Sequence, residues 1–418
     1  MSTRLASADL EAVKAIVGIE HAATGAADDA VGGRRPRLVV APADEAEVAA
    51  VLREAGGHGL AVTVRGSGSK LSWGAAPERC DVVLSTRRLN ALVEHEPGDL
   101  VCVAGAGMLL TDLQARVAAA DGYDQRLMLD PPQEGTLGGI VAADASGPLR
   151  TRYGTARDLV IGARFVLADG TVGTSGGKVV KNVAGYDIAK LLTGSLGTLA
   201  VITQVALRLH PVAPTSRTVV IEEGAAARVQ ALCARIHQLP VEPSTFDIAW
   251  PEGLVLLRID SSEAGAQRQA ELVAEATGGR IVSGDEAVAF QERLRGRPWR
   301  TATRAGPAAS DAVAALAVPR ARLGELLRDA AGYVDDMVVR APLGTGEARC
   351  AAEPARVQAL RALTERLGGR LVLRRAPTAV QSLVWSHPDG VAAELMGSVK
   401  RALDPGRVLA PGCFVGGI

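Results

Sequence analysis

Pro131-Pro132-Gln133-Glu134-Gly135-Thr136-Leu137-Gly138-Gly139, running on through Ala142-Ala143 to Ser146-Gly147, is the stretch that decides the fold of this chain. With no Cβ at Gly138 and Gly139, a flat ligand or a pyrophosphate can press against bare backbone where any side chain would collide. The next stretch, Arg152-Tyr153-Gly154-Thr155-Ala156-Arg157-Asp158, mixes cations with one aromatic. Its plain alternative is an ordinary loop carrying surface charges. The chain holds 47 glycines in 418 residues, above the average usage of about 7%. Many fall in short loops between apolar runs instead of being strung out as in a linker.

On the N-terminal side, residues 9–19 have helical spacing and residues 38–40 read as a short strand. Asp44 is an N-cap with Glu47 as its capping-box partner, and the helix it starts runs to about Ala55 before Gly56-Gly57 stops it. Residues 60–64 read as a buried strand, completing a β-α-β unit. Arg65-Gly66-Ser67-Gly68-Ser69-Lys70 follows directly. Successive amides there can turn into one concavity, with the Ser67 and Ser69 hydroxyls as further donors and Arg65 and Lys70 as positive charge. That combination suits a pyrophosphate; the alternative is a tight turn. A G-x-G-x-x-G fingerprint is absent, because Leu71 stands where its third glycine belongs. Neither Lys70 nor Gly177-Lys178-Val179 has the spacing of a Walker loop.

On the C-terminal side come strands at residues 159–168 and 200–209. Between them lies Gly176-Gly177-Lys178-Val179-Val180-Lys181-Asn182-Val183-Ala184-Gly185-Tyr186-Asp187, then Gly194-Ser195-Leu196-Gly197-Thr198-Leu199. Two lysines in a loop could steady negative charge on a bound group, although lysines are more often solvated. Pro211 and Pro214 mark a boundary. Beyond it Ala- and Arg-rich helical stretches alternate with strands, and no internal repeat is read.

Lys plus Arg is 46 and Asp plus Glu is 46, so the formal charge is zero; with aromatics at 3% this excludes the footprint of a nucleic-acid binder. No apolar run reaches the roughly 18–20 residues of a membrane span. The polar start through Asp9 does not read as a secretory signal, so a cytoplasmic site is expected, with docking on the inner membrane through partners left open. The five cysteines (Cys80, Cys102, Cys233, Cys350, Cys413) are scattered without C-x-x-C spacing, which argues against an iron–sulfur cluster on this chain and for buried free thiols.

The three glycine-rich segments, taken together over residues 36–212, resemble the FAD-binding domain of the vanillyl-alcohol oxidase/p-cresol methylhydroxylase (PCMH) superfamily. Residues 181–199 are closer still to its D-2-hydroxyacid dehydrogenase branch, and within that branch to the FAD-binding subunits of bacterial glycolate oxidases. The resemblance implies an α+β chain: a PCMH-type FAD domain of two α+β subdomains, plus a second α+β cap domain with an antiparallel sheet. The units expected are a lead-in (1–35), the FAD domain (36–212), a cap (213–390) and a C-terminal segment (391–418) returning to the FAD domain. The implied FAD residues are Arg65, Gly66, Ser67, Gly68, Ser69 and Lys70 at the pyrophosphate. Pro131, Gly135, Thr136, Gly138, Gly139, Ala142, Ser146, Gly147, Tyr153, Gly154 and Lys181 would lie along the flavin path, with Gly197 and Ile202 near the adenine. Relatives that attach FAD covalently use a His or Cys, often in the first loop. Here that loop offers Ser69, so dissociable FAD is expected.

The chain departs from the branch in one respect. Relatives that oxidise substrate usually carry an H-x-G-D-G-N-x-H metal motif, whereas the nearest segment here is Leu343-Gly344-Thr345-Gly346-Glu347-Ala348-Arg349, without histidine. None of the six histidines has ligand-like spacing, so no metal is expected and the catalytic base is unassigned. His387 is a weak candidate. Arg349, Arg374 and Arg375 could take a carboxylate bidentately, with strand-face salt bridges as the favoured alternative. The leading expectation is the FAD-binding subunit of a glycolate-oxidising complex, acting on a small 2-hydroxyacid with a second flavoprotein and an iron–sulfur subunit. A stand-alone FAD dehydrogenase of another hydroxyacid or alcohol, and a non-catalytic flavin-holding subunit, stand beside it.

Overall fold

The computed structural model of the protein describes residues 7–120, 122–177, 185–297, 299, 310–386, 388 and 390–418. Asp44 caps the helix Glu45–Gly57 by accepting from the Glu47 amide, and the Glu47 carboxylate returns to the Ala43 amide. The helix joins two strands, Leu38–Val40 and Val62–Arg65, which both pair in parallel with Val82–Ser85. The four-stranded sheet so formed is completed by Ala22–Thr24 at the far edge. Val48, Val51, Leu52 and Ala55 pack from the helix onto Leu38, Val40, Val82 and Leu84. Burying a residue of this size is worth about 1.5–3 kcal/mol each, which is why the helix docks where its apolar stripe falls.

A five-stranded antiparallel sheet follows in the order Leu92–Glu96, Val101–Gly105, Val201–Arg208, Val160–Val166, Val172–Gly176. It carries its own core, which includes Cys102, Leu113, Leu127, Ile140 and Val205. The helix Leu137–Ala142 grows out of the glycine run and is buried through Leu137, Ile140 and Val141.

The rest of the chain is built on one antiparallel sheet of eight strands. Here the structure corrects the absence of a repeat. Residues 215–282 run β-α-β-β-α-β, and residues 311–375 run the same way. Their strands lie in mirror order about a seam formed by Thr245–Trp250 and Asp336–Arg340. Each copy is a split β-α-β unit. The repeat leaves no sequence trace because alternation, not identity, is what each strand must supply. One sheet face is covered by helices and is apolar, with Phe246, Ile248, Met337 and Val339 among its residues.

The chain ends on the N-terminal half. The Val62 amide donates to Val408 O at 2.7 Å and the Ala410 amide to Val62 O at 2.9 Å, so the tail lies alongside Val62–Arg65.

Candidate functional site: a glycine-walled crevice

The crevice is made where three turns meet. Gly66 abuts the second turn so closely that a Cβ on it would lie 1.9 Å from Thr136 Oγ1. Gly138 is held by its amide, which donates to Ala106 O at 2.8 Å. Gly66, Ser67, Gly68, Ser69 and Lys70 line one wall, with Thr136, Gly138, Gly139 and Ala142 across from them and Leu196, Gly197 and Ile202 at one end. None of the amides of residues 67–70 donates to a described protein acceptor. Gly68 at φ +82° lets the backbone reverse there. Such a run of free amides on a concave turn is an anion nest.

Two observations test whether an FAD fits these residues. Thr136 Oγ1, on the crevice wall, is buried without a hydrogen-bond partner, a costly state that a polar ligand would relieve; Ser146 Oγ is equally unpaired but does not line the crevice. A Cβ on Gly139 would meet only Thr136 Oγ1, at 3.1 Å, so this glycine opens onto the slot. The chemistry of the donors fits a pyrophosphate-bearing group. The slot is narrow, with about 100 Å³ of interior space, so a dinucleotide needs lining side chains to move.

Lys70 carries the charge of the first loop. Its Nζ donates to Ser69 Oγ at 2.9 Å and to Gln133 O at 3.2 Å. Burial pushes its pKa down to about 8, against the pull of Glu134. Leu196 and Ala410, both on the crevice wall, hold φ of 55° and 38°. Non-glycine residues rarely adopt such angles and tend to cluster at ligand sites when they do.

Other sequence-derived candidates are placed differently. Arg65 turns away from the slot and pairs with Asp29 at 2.8 Å. Gly135 packs on Lys70 Nζ and Ser69 Oγ. Pro131 is half-buried next to Pro132, which with Gly147 lines a second cavity. Tyr153 packs edge-on against His210 at 4.9 Å, and Gly154 at φ +81° sits over Asp158, which closes the capping box of the next short helix. Those two belong to local packing, away from the slot. Lys181 and His387 lie outside the described residues. Arg349 pairs with Asp311 at 3.3 Å, the salt-bridge reading of that residue. Arg374 does more: it donates to Glu347 at 2.7 Å while its guanidinium lies 4.1 Å from the centroid of the Trp73 ring, on the crevice wall.

Sequence reasoning missed Trp73, which stacks on Trp299 at 5.7 Å, and Cys413, which the returning tail brings to the wall. Nothing near Trp73 in the sequence marks it, because Trp299 and Arg374 reach it from the eight-stranded sheet. Cys413 is the kind of residue that could tether a flavin. Burial pushes its thiol up to about 12, so it is not a thiolate nucleophile at neutral pH. Among the described residues no group of three His, Cys, Asp or Glu side chains could hold a metal.

Comparison with known proteins agrees with this geometry. Residues 36–176 match the FAD binding domain family. Over 178 residues the chain is 39% identical to a D-lactate dehydrogenase of Archaeoglobus fulgidus, covering 42% of this chain and 39% of that protein. Over 238 residues it is 29% identical to glycolate oxidase subunit GlcE of Escherichia coli, covering 56% of this chain and 63% of that protein. The chain thus spans from about two fifths to just under two thirds of these relatives. The solved structure of p-cresol methylhydroxylase with substrate bound superimposes with a TM-score of 0.73 at 17% identity, covering 97% of this chain and 96% of that one. That likeness shows the fold, and the matched domain shows that the cofactor is FAD.

Proposed function

We propose that this chain, a PCMH-type FAD-binding protein by its fold and its matched domain, is an oxidoreductase that removes two electrons from a small 2-hydroxyacid. The observation that carries the reading is the crevice itself: free amides at residues 67–70 share it with Gly139, whose bare backbone opens onto the slot. Residues 66–70 would hold the pyrophosphate, Lys70 balancing its charge, and Thr136 would spend its unpaired hydroxyl on the cofactor. FAD, when bound, supplies the acceptor for the electron pair. The Trp73 and Trp299 rings would exclude water from that end of the slot, and Arg374 would steady negative charge beside it. With Cys413 kept as a thiol, the cofactor is held without a covalent link.

We further read the chain as the FAD-binding subunit of a glycolate-oxidising complex, passing electrons to a second flavoprotein and an iron–sulfur subunit. The likeness to GlcE and the widely scattered cysteines support this. A stand-alone dehydrogenase is the second reading, favoured by the 39% identity to a D-lactate dehydrogenase. Anaerobic addition of glycolate or D-lactate to the purified yellow protein separates them. Bleaching by glycolate only after partner proteins are added supports the subunit reading, and bleaching by D-lactate alone supports the second. A correctly folded chain that stays colourless after incubation with FAD overturns both.

A further inference from the structure

The eight-stranded sheet buries charge on one of its faces. Strand alternation sends Phe246, Ile248, Met337 and Val339 to the helix-covered side and Asp247, Arg340 and Glu347 to the other. These three are only 3%, 5% and 2% exposed. Charged side chains are almost never buried this fully unless well paired, and here the pairing is incomplete. Arg340 Nε stands 3.7 Å from Asp247 Oδ1, beyond hydrogen-bond length. Both atoms, and Glu347 Oε2, lack a hydrogen-bond partner among the described residues. Asp247 and Arg340 face each other directly across the seam between the two topological repeats.

A cavity of about 200 Å³ opens at that seam, walled by Asp247, Arg258 and Arg340 on the sheet and by Asp130, Gly147 and Leu149 of the N-terminal half. A single water needs about 10–15 Å³ on this measure, so a molecule of several non-hydrogen atoms fits. Three other cations on the wall are already engaged: Arg258 with Asp260 at 2.7 Å, Arg295 with Glu292 at 2.9 Å, and Arg297 with Glu252 and Asp336 at 2.5 and 2.9 Å; Arg126, the fourth, lies at the exposed rim. Arg340 Nε finds no acceptor among the described residues, and the planar guanidinium fork matches a carboxylate. The same face carries Arg374, stacked on Trp73 of the crevice. Burial pushes Asp130 up to about 7 and Asp247 up to about 6. The chamber therefore does not set two full negative charges against an incoming anion at neutral pH.

We propose that this chamber is a binding site for a small carboxylate whose negative group is taken by the guanidinium of Arg340. The inference deepens the hydroxyacid reading above and rests on it, since it supplies the place where the acid would sit.

The test is titration calorimetry of the full-length, FAD-loaded protein with oxalate, a dicarboxylate that lacks the carbinol C–H an oxidation would need. Arg340→Gln leaves Asp247 buried and unpaired, and such a chain can fail to fold. The double change Asp247→Asn/Arg340→Gln removes both charges together and is the variant to read, with flavin content and thermal midpoint measured beside it. The expected result is saturable oxalate binding to the wild type, weakened at least tenfold in the double variant at unchanged flavin content. Equal oxalate affinity in the two proteins overturns the proposal, as does a wild type that binds no oxalate. Oxalate binding that depends on Arg340, in a protein whose flavin no hydroxyacid bleaches, supports the chamber and overturns the oxidation reading alone.

Discussion

Gly139 and Lys70 are the residues at which the crevice is most exposed to test. A side chain on Gly139 would point into the slot, where Thr136 Oγ1 at 3.1 Å is the nearest atom. Gly139→Leu should therefore fold, as judged by circular dichroism, yet bind FAD at least tenfold more weakly, read from the flavin-to-protein absorbance ratio. Lys70 makes a pH prediction. A lysine is cationic below its pKa, and burial has brought this one down to about 8. FAD affinity should fall as pH rises through that value, by about tenfold for the loss of one charge-assisted contact. Lys70→Met should bind weakly with no such pH dependence, and equilibrium fluorescence titration at several pH values checks both.

Among the elements, the returning tail depends on one buried pair. Lys400 Nζ donates to Asp404 at 2.6 Å, to Thr198 O at 2.7 Å and to Leu409 O at 2.9 Å. Asp404 in turn accepts from the amides of Val408 and Leu409. The helix Gly390–Leu403 is thereby pinned to the loop beside Gly197 and to the strand-like tail along Val62. Removing one member leaves the other charge buried alone, which costs about 3–5 kcal/mol. Lys400→Met should lower the urea midpoint accordingly and speed amide exchange at Val62 and Ala410. Lys400→Met/Asp404→Asn should recover part of the loss. The elements named in advance were legible: the Asp44 cap and the strand before the Arg65 turn follow from a capping residue and an apolar run. The doubled β-α-β-β-α-β order was not legible, because two strands with the same alternation need share no residues.

For the whole molecule, the charged seam links stability to pH. The folded chain holds protons on Asp130 and Asp247 up to about pH 7 and 6, whereas unfolded aspartates release theirs near 3.9. Between those limits the folded state binds more protons than the unfolded one, so stability falls as pH rises from about 4 to 7. For Asp247 the loss is about 3 kcal/mol at most, at roughly 1.4 kcal/mol per pH unit. Asp247→Asn should flatten that part of the pH–stability curve, measured as denaturation midpoints across the range.

The sequence by itself determined the α+β class and the crevice turns, since a glycine's missing Cβ and a loop's free amides are local properties that neighbours in the chain supply. It also located Lys70, Thr136 and Gly139. What only the tertiary structure decided is whatever one half of the chain presents to the other: Trp299 and Arg374 against Trp73, Cys413 on the crevice wall, and Arg340 and Asp130 on the walls of one chamber. Whether an arginine answers a neighbouring carboxylate, as Arg349 does with Asp311, or stands unsatisfied on a cavity wall, as Arg340 does, depends on what packs above its strand, and strand periodicity is the same in both cases.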